Sequence, residues 1–336
     1  MNNYFHQEVQ FIDKKISRNF WDNSKVLITG ASGVIGNTLS LYFIYLIEEV
    51  GLNIELTLVS KTGIFPCKID LSKRINFVTA DLCKEDFYQK SDKFNFIFHL
   101  AGYGQPNKFT SDPFSTIMLN TYGTRKLLNM LAAQGNFIYL SSSEVYSGLK
   151  SGKCSEVMVG STNTDHPRAA YIQSKKTGEA ICFSAMELYS FKVKALRLAL
   201  AYGPGIKIQD GRVMYELIER GIRERKIIVK SGGSSIRTYC YIRDAVHQIL
   251  EVTIKGQEVV YNIGGISKIT INELANLIGK KLNIKSELNF VKEIDIGAPN
   301  QVELDLSKTL KLIENPEFID FDEGLDRTIN WIKKII

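Results

Sequence analysis

Cysteine is scarce and shows no pairing pattern. Cys67, Cys83, Cys154, Cys182 and Cys240 are scattered over 336 residues, with no CxxC pair. An odd number at such spacings excludes a disulfide framework and a thiolate metal site, and predicts free thiols in a reducing, cytoplasmic setting. Histidine is scarcer still. His6, His99, His166 and His247 match no metal-ligand spacing, so no metal is expected. No apolar run reaches bilayer length: the longest, Leu39 to Ile47, contains tyrosines and stops at Glu48-Glu49, so no membrane association is expected. The opening MNNYFHQEVQ lacks a basic segment ahead of an apolar core, so no signal peptide is expected. Charge of one sign is nowhere concentrated. Lys and Arg number 42 against 36 Asp and Glu, with no basic run and no aromatics interleaved with one. A nucleic-acid surface is therefore disfavoured, and a small anionic ligand suits the mild excess.

What is present is ordinary globular material, 44% hydrophobic and 23% charged, in a chain long enough for one or two domains. Residues 1–24 carry apolar side chains at helical spacing (Tyr4, Phe5, Val9, Phe11, Ile12, Ile16, Phe20, Trp21) and read as a helical extension packed on the domain that begins at Lys25. From Lys25 short unbroken apolar runs alternate with helical stretches. Strands are expected at Val26-Leu27-Ile28, 54–59, 75–79, 94–100, 137–140 and 193–198, with helices over 37–49, 116–133 and 171–189. This alternation predicts an α/β fold with a doubly wound, Rossmann-type parallel sheet over 25–203. Beyond Gly203-Pro204-Gly205 shorter elements mix, and 204–336 reads as a smaller mixed α/β substrate-binding region packed on the first as one unit.

The run Thr29-Gly30-Ala31-Ser32-Gly33-Val34-Ile35-Gly36 follows the first strand and opens a helix. Its GxxGxxG spacing supplies a tight turn, close backbone approach to a pyrophosphate, and close helix–strand packing. The helix N-terminus then presents N–H groups to the anion. A dinucleotide is the expected cofactor. The second strand ends Val59-Ser60-Lys61, without the acid that would hold the ribose hydroxyls of NAD. Ser60 and Lys61 suit a 2′-phosphate, and so NADP; the alternative is that Lys61 is a solvated loop residue. Asp81, after the third strand, suits an adenine amine or a helix N-cap.

The fifth strand ends Ser141-Ser142-Ser143-Glu144-Val145-Tyr146, and Tyr171-Ile172-Gln173-Ser174-Lys175 follows. Tyr171 and Lys175, four apart, share a helix face. A nearby ammonium and an oxidised nicotinamide are expected to pull the phenol from about 10 towards neutrality. Tyr171 then takes a proton from a sugar hydroxyl as hydride leaves the same carbon, with a serine hydroxyl holding the oxygen.

These motifs, with His99-Leu100-Ala101-Gly102, Asn120 in LNTYGT, and Arg197 ahead of Tyr202-Gly203-Pro204, resemble the extended short-chain dehydrogenase/reductase (NAD-dependent epimerase/dehydratase) family. The likeness runs from about Lys25 to the C-terminus. The SSSEVYSG, HPRAAYIQSKK, Asp210-Gly211-Arg212-Val213 and IRTYCYIRD segments are most similar to UDP-glucuronate decarboxylases (UDP-xylose synthases) within its nucleotide-sugar branch. The resemblance implies that Ser142, Tyr171 and Lys175 are catalytic. It implies a cofactor site of Gly30, Ser32, Gly33, Val34, Ile35, Gly36, Ser60, Lys61, Asp81, Leu82, Leu100, Ala101, Gly102 and Asn120, with Tyr171 and Lys175. Arg212 and Arg237 are expected at the substrate diphosphate, with interdomain ion pairs as the alternative, and Asp305 at its ribose. Ser143 stands where 4,6-dehydratases carry an acid, and a hydroxyl is a poor general acid. Glu144 is left as a base or orienter near C4 or C5 of the sugar, or as a carboxylate bonded to nearby backbone. Two positions depart from the subfamily: Ile172-Gln173-Ser174 replaces an acidic–glycine pair, and Val302 stands where an Arg grips the nucleotide.

The implied function is redox-neutral modification of a nucleotide-linked sugar through a 4-keto intermediate. Decarboxylation is favoured, with 4-epimerisation or 4,6-dehydration as alternatives. A hydride that is returned in each cycle favours NAD. An NADPH-dependent keto-sugar reductase and a non-catalytic dinucleotide sensor are the other readings. Homodimerisation through the helices at 116–133 and 171–189 is implied by the resemblance alone.

Overall fold

The apolar runs of the first two hundred residues pair edge to edge, as unbroken Val/Ile/Leu/Phe strands must if both faces of a sheet are covered. The computed structural model describes residues 3–65, 71–89, 92–149, 152–208, 210–229, 233–284, 286–288 and 303–336. The strands are β1 (Ser24–Thr29), β2 (Ile54–Ser60), β3 (Ile75–Thr79), β4 (Phe94–His99), β5 (Leu131–Ser142), β6 (Lys153–Cys154), β7 (Lys192–Leu198), β8 (Leu200–Tyr202), β9 (Ile227–Val229), β10 (Ile236–Tyr241), β11 (Val260–Ile263), β12 (Ser267–Thr270), β13 (Ser286–Leu288) and β14 (Glu303–Leu304). The central sheet is seven-stranded and parallel, in the order β11-β7-β5-β4-β1-β2-β3. The chain winds outwards from β1 in both directions. The crevice beyond the carboxyl ends of β1 and β4 is therefore the expected ligand site of a Rossmann-type fold. A second sheet, β12-β10-β8, stands beside that crevice.

Helices cover both faces: α1 (Asn3–Lys15), α2 (Val34–Glu48), α3 (Pro106–Ser111), α4 (Pro113–Met118), α5 (Thr124–Leu128), α6 (Ala169–Tyr189), α7 (Val213–Glu224), α8 (Ile242–Lys255), α9 (Ile271–Leu282), α10 (Ser307–Leu310) and α11 (Phe321–Ile335). The N-terminal helix buries Phe5, Val9 and Ile12 against α2 and α8, and Ile16, just past its end, is buried too. Each such side chain contributes on the order of 1.5–3 kcal/mol by leaving water. Trp21, further along the chain, is wholly buried between Phe43 and Phe96. Covered by α1 on one side and the sheet on the other, α2 is buried nearly all round.

Two expectations are corrected. The helix read over 116–133 is three pieces: α4 ends at Met118, a five-residue π-turn spans Leu119–Gly123, and α5 ends at Leu128. The Leu-Ala-Ala-Gln segment reads as helix by propensity, yet Leu131 pairs with Phe94 at the start of β5. The register shifts before Phe96, and Gln134 takes a left-handed φ of 58°. Strand pairing with a bulge overrides local preference there. The seventh strand, β11, comes from beyond residue 203, so the C-terminal part of the chain completes the central sheet.

Candidate active site

The glycine turn is built for close approach. Gly30 has φ +71°, and a Cβ there would sit 2.7 Å from the Ala101 nitrogen. At Gly36 a Cβ would lie 2.1 Å from the Gly30 carbonyl oxygen. Strand, turn and helix therefore close on one another only without side chains. Gly33 occupies the N-cap of α2 and offers no side-chain cap. The first-turn N–H groups of Val34, Ile35 and Gly36 have no partner within the helix, and these residues line the cleft together with Ser32. This cradle fits a pyrophosphate.

At the end of β2, Ser60 is buried. Its hydroxyl donates to Ser32 Oγ (3.1 Å), and it does not line the cleft. Lys61 does. Its Nζ lies 3.0 Å from Asp81 Oδ2 and donates to Tyr103 Oη at 3.0 Å. Asp81 Oδ1 accepts from Cys83 N (3.1 Å) in the turn after β3, and the residue lines the cleft. Leu82, Leu100, Ala101 and Gly102 line the same wall. Asn120 is a correction. It lies wholly buried in the π-turn, below the cleft surface, where its Nδ2 donates to Ser174 Oγ (3.0 Å). It ties the π-turn to α6 and is not among the residues lining the cleft.

Ser142, Ser143 and Glu144, at the end of β5, meet Tyr171 and Lys175 of α6 in the cleft. Lys175 Nζ donates to Leu140 O (2.7 Å) and lies 5.9 Å from the Tyr171 ring centroid. Ser142 Oγ accepts from Glu144 N (3.2 Å). Burial pushes Tyr171 up to about 12, against the hydrogen bond from Ser142. Burial likewise pushes Lys175 down to about 7, against the Glu179 carboxylate. The lowered phenol expected from sequence is thus not a property of these residues alone. Desolvation penalises both charged forms, and a cationic ring bound alongside is what would favour phenolate. Glu179, one turn on, pairs with buried Arg197 (2.7 Å) and accepts from Ser141 Oγ, which fixes α6 on β5 and β7.

Several site residues escaped the sequence reading. Arg168, just before α6, forms a largely buried ion pair with Glu144, and its guanidinium lies 5.2 Å from the Phe109 ring centroid. Its only signal was the HPRAAY stretch. Phe109, on α3, stacks on Tyr171. On the opposite wall Arg212 is bound by Asp210, which also accepts from Gln105 Nε2. Arg237 lines the cleft too. Asp305 is a correction: its carboxylate accepts from Ser307 N (3.0 Å) and Oγ (2.6 Å), and it is not on the cleft wall. Val302 lies outside the described residues. The cleft encloses about 960 Å³, enough for two nucleotide-sized groups. Among the described residues no cluster of three His, Cys, Asp or Glu could hold a metal ion, and no helix is long and apolar enough to cross a membrane.

Comparison with known proteins agrees with this fold. The profile of the NAD dependent epimerase/dehydratase family matches residues 26–264. The chain is 26% identical over 334 residues to UDP-glucuronic acid decarboxylase 1 of Xenopus tropicalis, covering 97% of this chain and 75% of that protein. It is 26% identical over 315 residues to UDP-glucuronic acid decarboxylase 6 of Arabidopsis thaliana, covering 92% and 89%. In fold it is similar to the UDP-glucuronic acid 4-epimerase of Bacillus cereus, solved with UDP-glucuronic acid and NAD. There the TM-score is 0.78 and the identity 23%, over 93% of this chain and 100% of that one. It is also similar to a dTDP-glucose 4,6-dehydratase of Streptomyces venezuelae solved with NAD, with TM-score 0.80 and 20% identity over 92% and 97%.

Proposed function

The chain belongs to the NAD dependent epimerase/dehydratase family, and on that premise we propose that it decarboxylates a UDP-glucuronate-type nucleotide sugar through a 4-keto intermediate. The glycine cradle, Lys61 and Asp81 would hold NAD, with Tyr171 and Lys175 towards its nicotinamide end. Bound NAD supplies an acceptor for the C4 hydride and a donor that returns it. Tyr171 takes the C4 hydroxyl proton, Ser142 holds the hydroxyl oxygen, and Lys175 sets the charge beside the phenol. A ketone at C4 makes the C5 carboxylate a β-keto acid, which loses CO2 readily. Arg212 and Arg237 face the nucleotide diphosphate.

The observation that carries decarboxylation over dehydration is the Glu144–Arg168 pair beside Tyr171, with Ser143 between Ser142 and Glu144. In this reading the Arg168 guanidinium, buried on the cleft wall that also carries Glu144 and Tyr171, is the partner the sugar carboxylate needs when it leaves water. The position that would protonate a departing hydroxyl carries only another hydroxyl. The relatives named UDP-glucuronic acid decarboxylase, aligned over most of the chain, support the same choice. The test is incubation with a panel of UDP-, dTDP-, GDP- and CDP-sugars, with products read by mass. Loss of CO2 from UDP-glucuronate supports the reading. Loss of water, an unchanged mass with altered retention, or stoichiometric consumption of NADPH each replaces it with dehydration, epimerisation or keto-sugar reduction.

The chain also forms a homodimer in this proposal. Phe114, Ile117 and Met118 of α4 and Phe183, Leu188 and Tyr189 of α6 are exposed apolar side chains on two helices packed together. Such a patch is what a partner copy would cover.

A further inference from the structure

Three loops that follow three strands of the central sheet meet at one ammonium group. Lys61 follows β2, Asp81 follows β3 and Tyr103 follows β4. Lys61 Nζ is 3.0 Å from the Asp81 carboxylate and 3.0 Å from the Tyr103 hydroxyl, and all three residues line the cleft. Lys61 and Asp81 stand on the β2–β3 side of the glycine turn. Lys175 is held on the β5 side, by Leu140 O. A dinucleotide laid across the turn from Tyr171 therefore ends its adenosine half beside Lys61.

We propose that Lys61 selects the cofactor, and that Asp81 and Tyr103 bias the selection towards NAD(H) over NADP(H) by occupying its ammonium group. This rests on NAD binding at the glycine cradle. A lysine alone at this position would attract a 2′-phosphate, which carries close to two negative charges. Here the ammonium is balanced by a carboxylate at contact distance. That carboxylate is ionised near neutral pH: partial burial raises it, but the Cys83 N–H and Lys61 together hold it below its ordinary value. Asp112, on the neighbouring loop, adds a second negative charge within electrostatic reach of Lys61. A phosphate entering here meets a locally neutral pair and a like charge. A 2′-hydroxyl meets an acceptor in Asp81 and the remaining N–H of Lys61. Ser60 does not help a phosphate, since its hydroxyl is turned to Ser32 and Thr62. The chain thus replaces the missing acid at the end of β2 with one from the end of β3, tied in place by the lysine.

The test is direct binding. Purified protein freed of nucleotide is titrated with NADH and with NADPH, followed by nicotinamide fluorescence. Wild type is expected to prefer NADH. Asp81→Asn keeps the oxygen that caps Cys83 N and removes the charge. It is expected to lower the NADH-over-NADPH preference by about tenfold or more, as loss of one charge-assisted contact and gain of another would. Adding Lys61→Ala should abolish the gained NADPH affinity. Tyr103→Phe should move the preference the same way by less, and it serves where Asp81→Asn does not fold. NADPH preferred by wild type, or an unchanged ratio in the folded variants, overturns the proposal and leaves dinucleotide binding standing. Binding of neither dinucleotide overturns both.

Discussion

Phe109 lies face to face with Tyr171, the ring centroids 4.6 Å apart and the planes 10° from parallel. The stack holds the phenol ring by its face, so the hydroxyl is the part of Tyr171 left for chemistry at the end of β5. The two residues stand 62 positions apart in sequence, on different helices. One consequence is that the ring and the hydroxyl can be tested separately.

Tyr171→Phe keeps the stack and removes only the hydroxyl. Turnover of the substrate identified from the sugar panel should fall by about 10²-fold or more, as expected when a general base is lost. Dinucleotide affinity, read by nicotinamide fluorescence, should stay within a few-fold. Near-normal turnover would remove Tyr171 from the mechanism.

His99 should make the fold acid-labile. It is wholly buried, its Nδ1 is 2.9 Å from Thr29 Oγ1, and burial, then the Lys175 charge, push it down to about 3. The unfolded chain binds this proton below about pH 6.5, whereas the native state refuses it until about pH 3. Stability is therefore lost as pH falls through that window. By pH 4.5 the contribution amounts to about 2–3 kcal/mol. In urea unfolding series, His99→Gln should show a shallower decline between pH 6.5 and 4.5. A parallel decline in both proteins would refute the assignment.

Phe114 is 81% exposed on α4. If α4 and α6 pair with their copies, Phe114→Glu places a charge in an apolar contact and should lower the mass seen by light scattering from dimer towards monomer. Circular dichroism and melting temperature should stay near wild type, because the side chain contributes nothing to the protomer core. A wild-type monomer at all concentrations would end the dimer proposal.

The features legible in the amino-acid sequence are the local ones. GxxGxxG between a strand and a helix is a statement about one turn, and Tyr171 and Lys175 share a face because four residues are about one helical turn. The parallel sheet was legible because strands covered on both faces must be apolar throughout. Local reading failed where distant chain intervened. The helix expected through Ala133 ends at Leu128, because Leu131 is claimed by pairing with Phe94.

The ion pairs and charge-assisted hydrogen bonds that give the cleft its character belong to the tertiary structure alone. Glu144 and Arg168 are 24 residues apart, Lys61 and Tyr103 are 42, and Gln105 reaches Asp210 across 105. Nothing in the spacing of such residues announces a partner, because an ion pair has no period. It forms wherever the packing of strands and helices happens to bring two side chains to contact distance. Periodicity and the glycine spacing therefore determined that this chain folds around a glycine turn, with a tyrosine and a lysine sharing one helix face. The folded arrangement decided which charges are neutralised and which remain to meet a ligand, since burial and contact, unlike helix and strand periodicity, are properties of three dimensions.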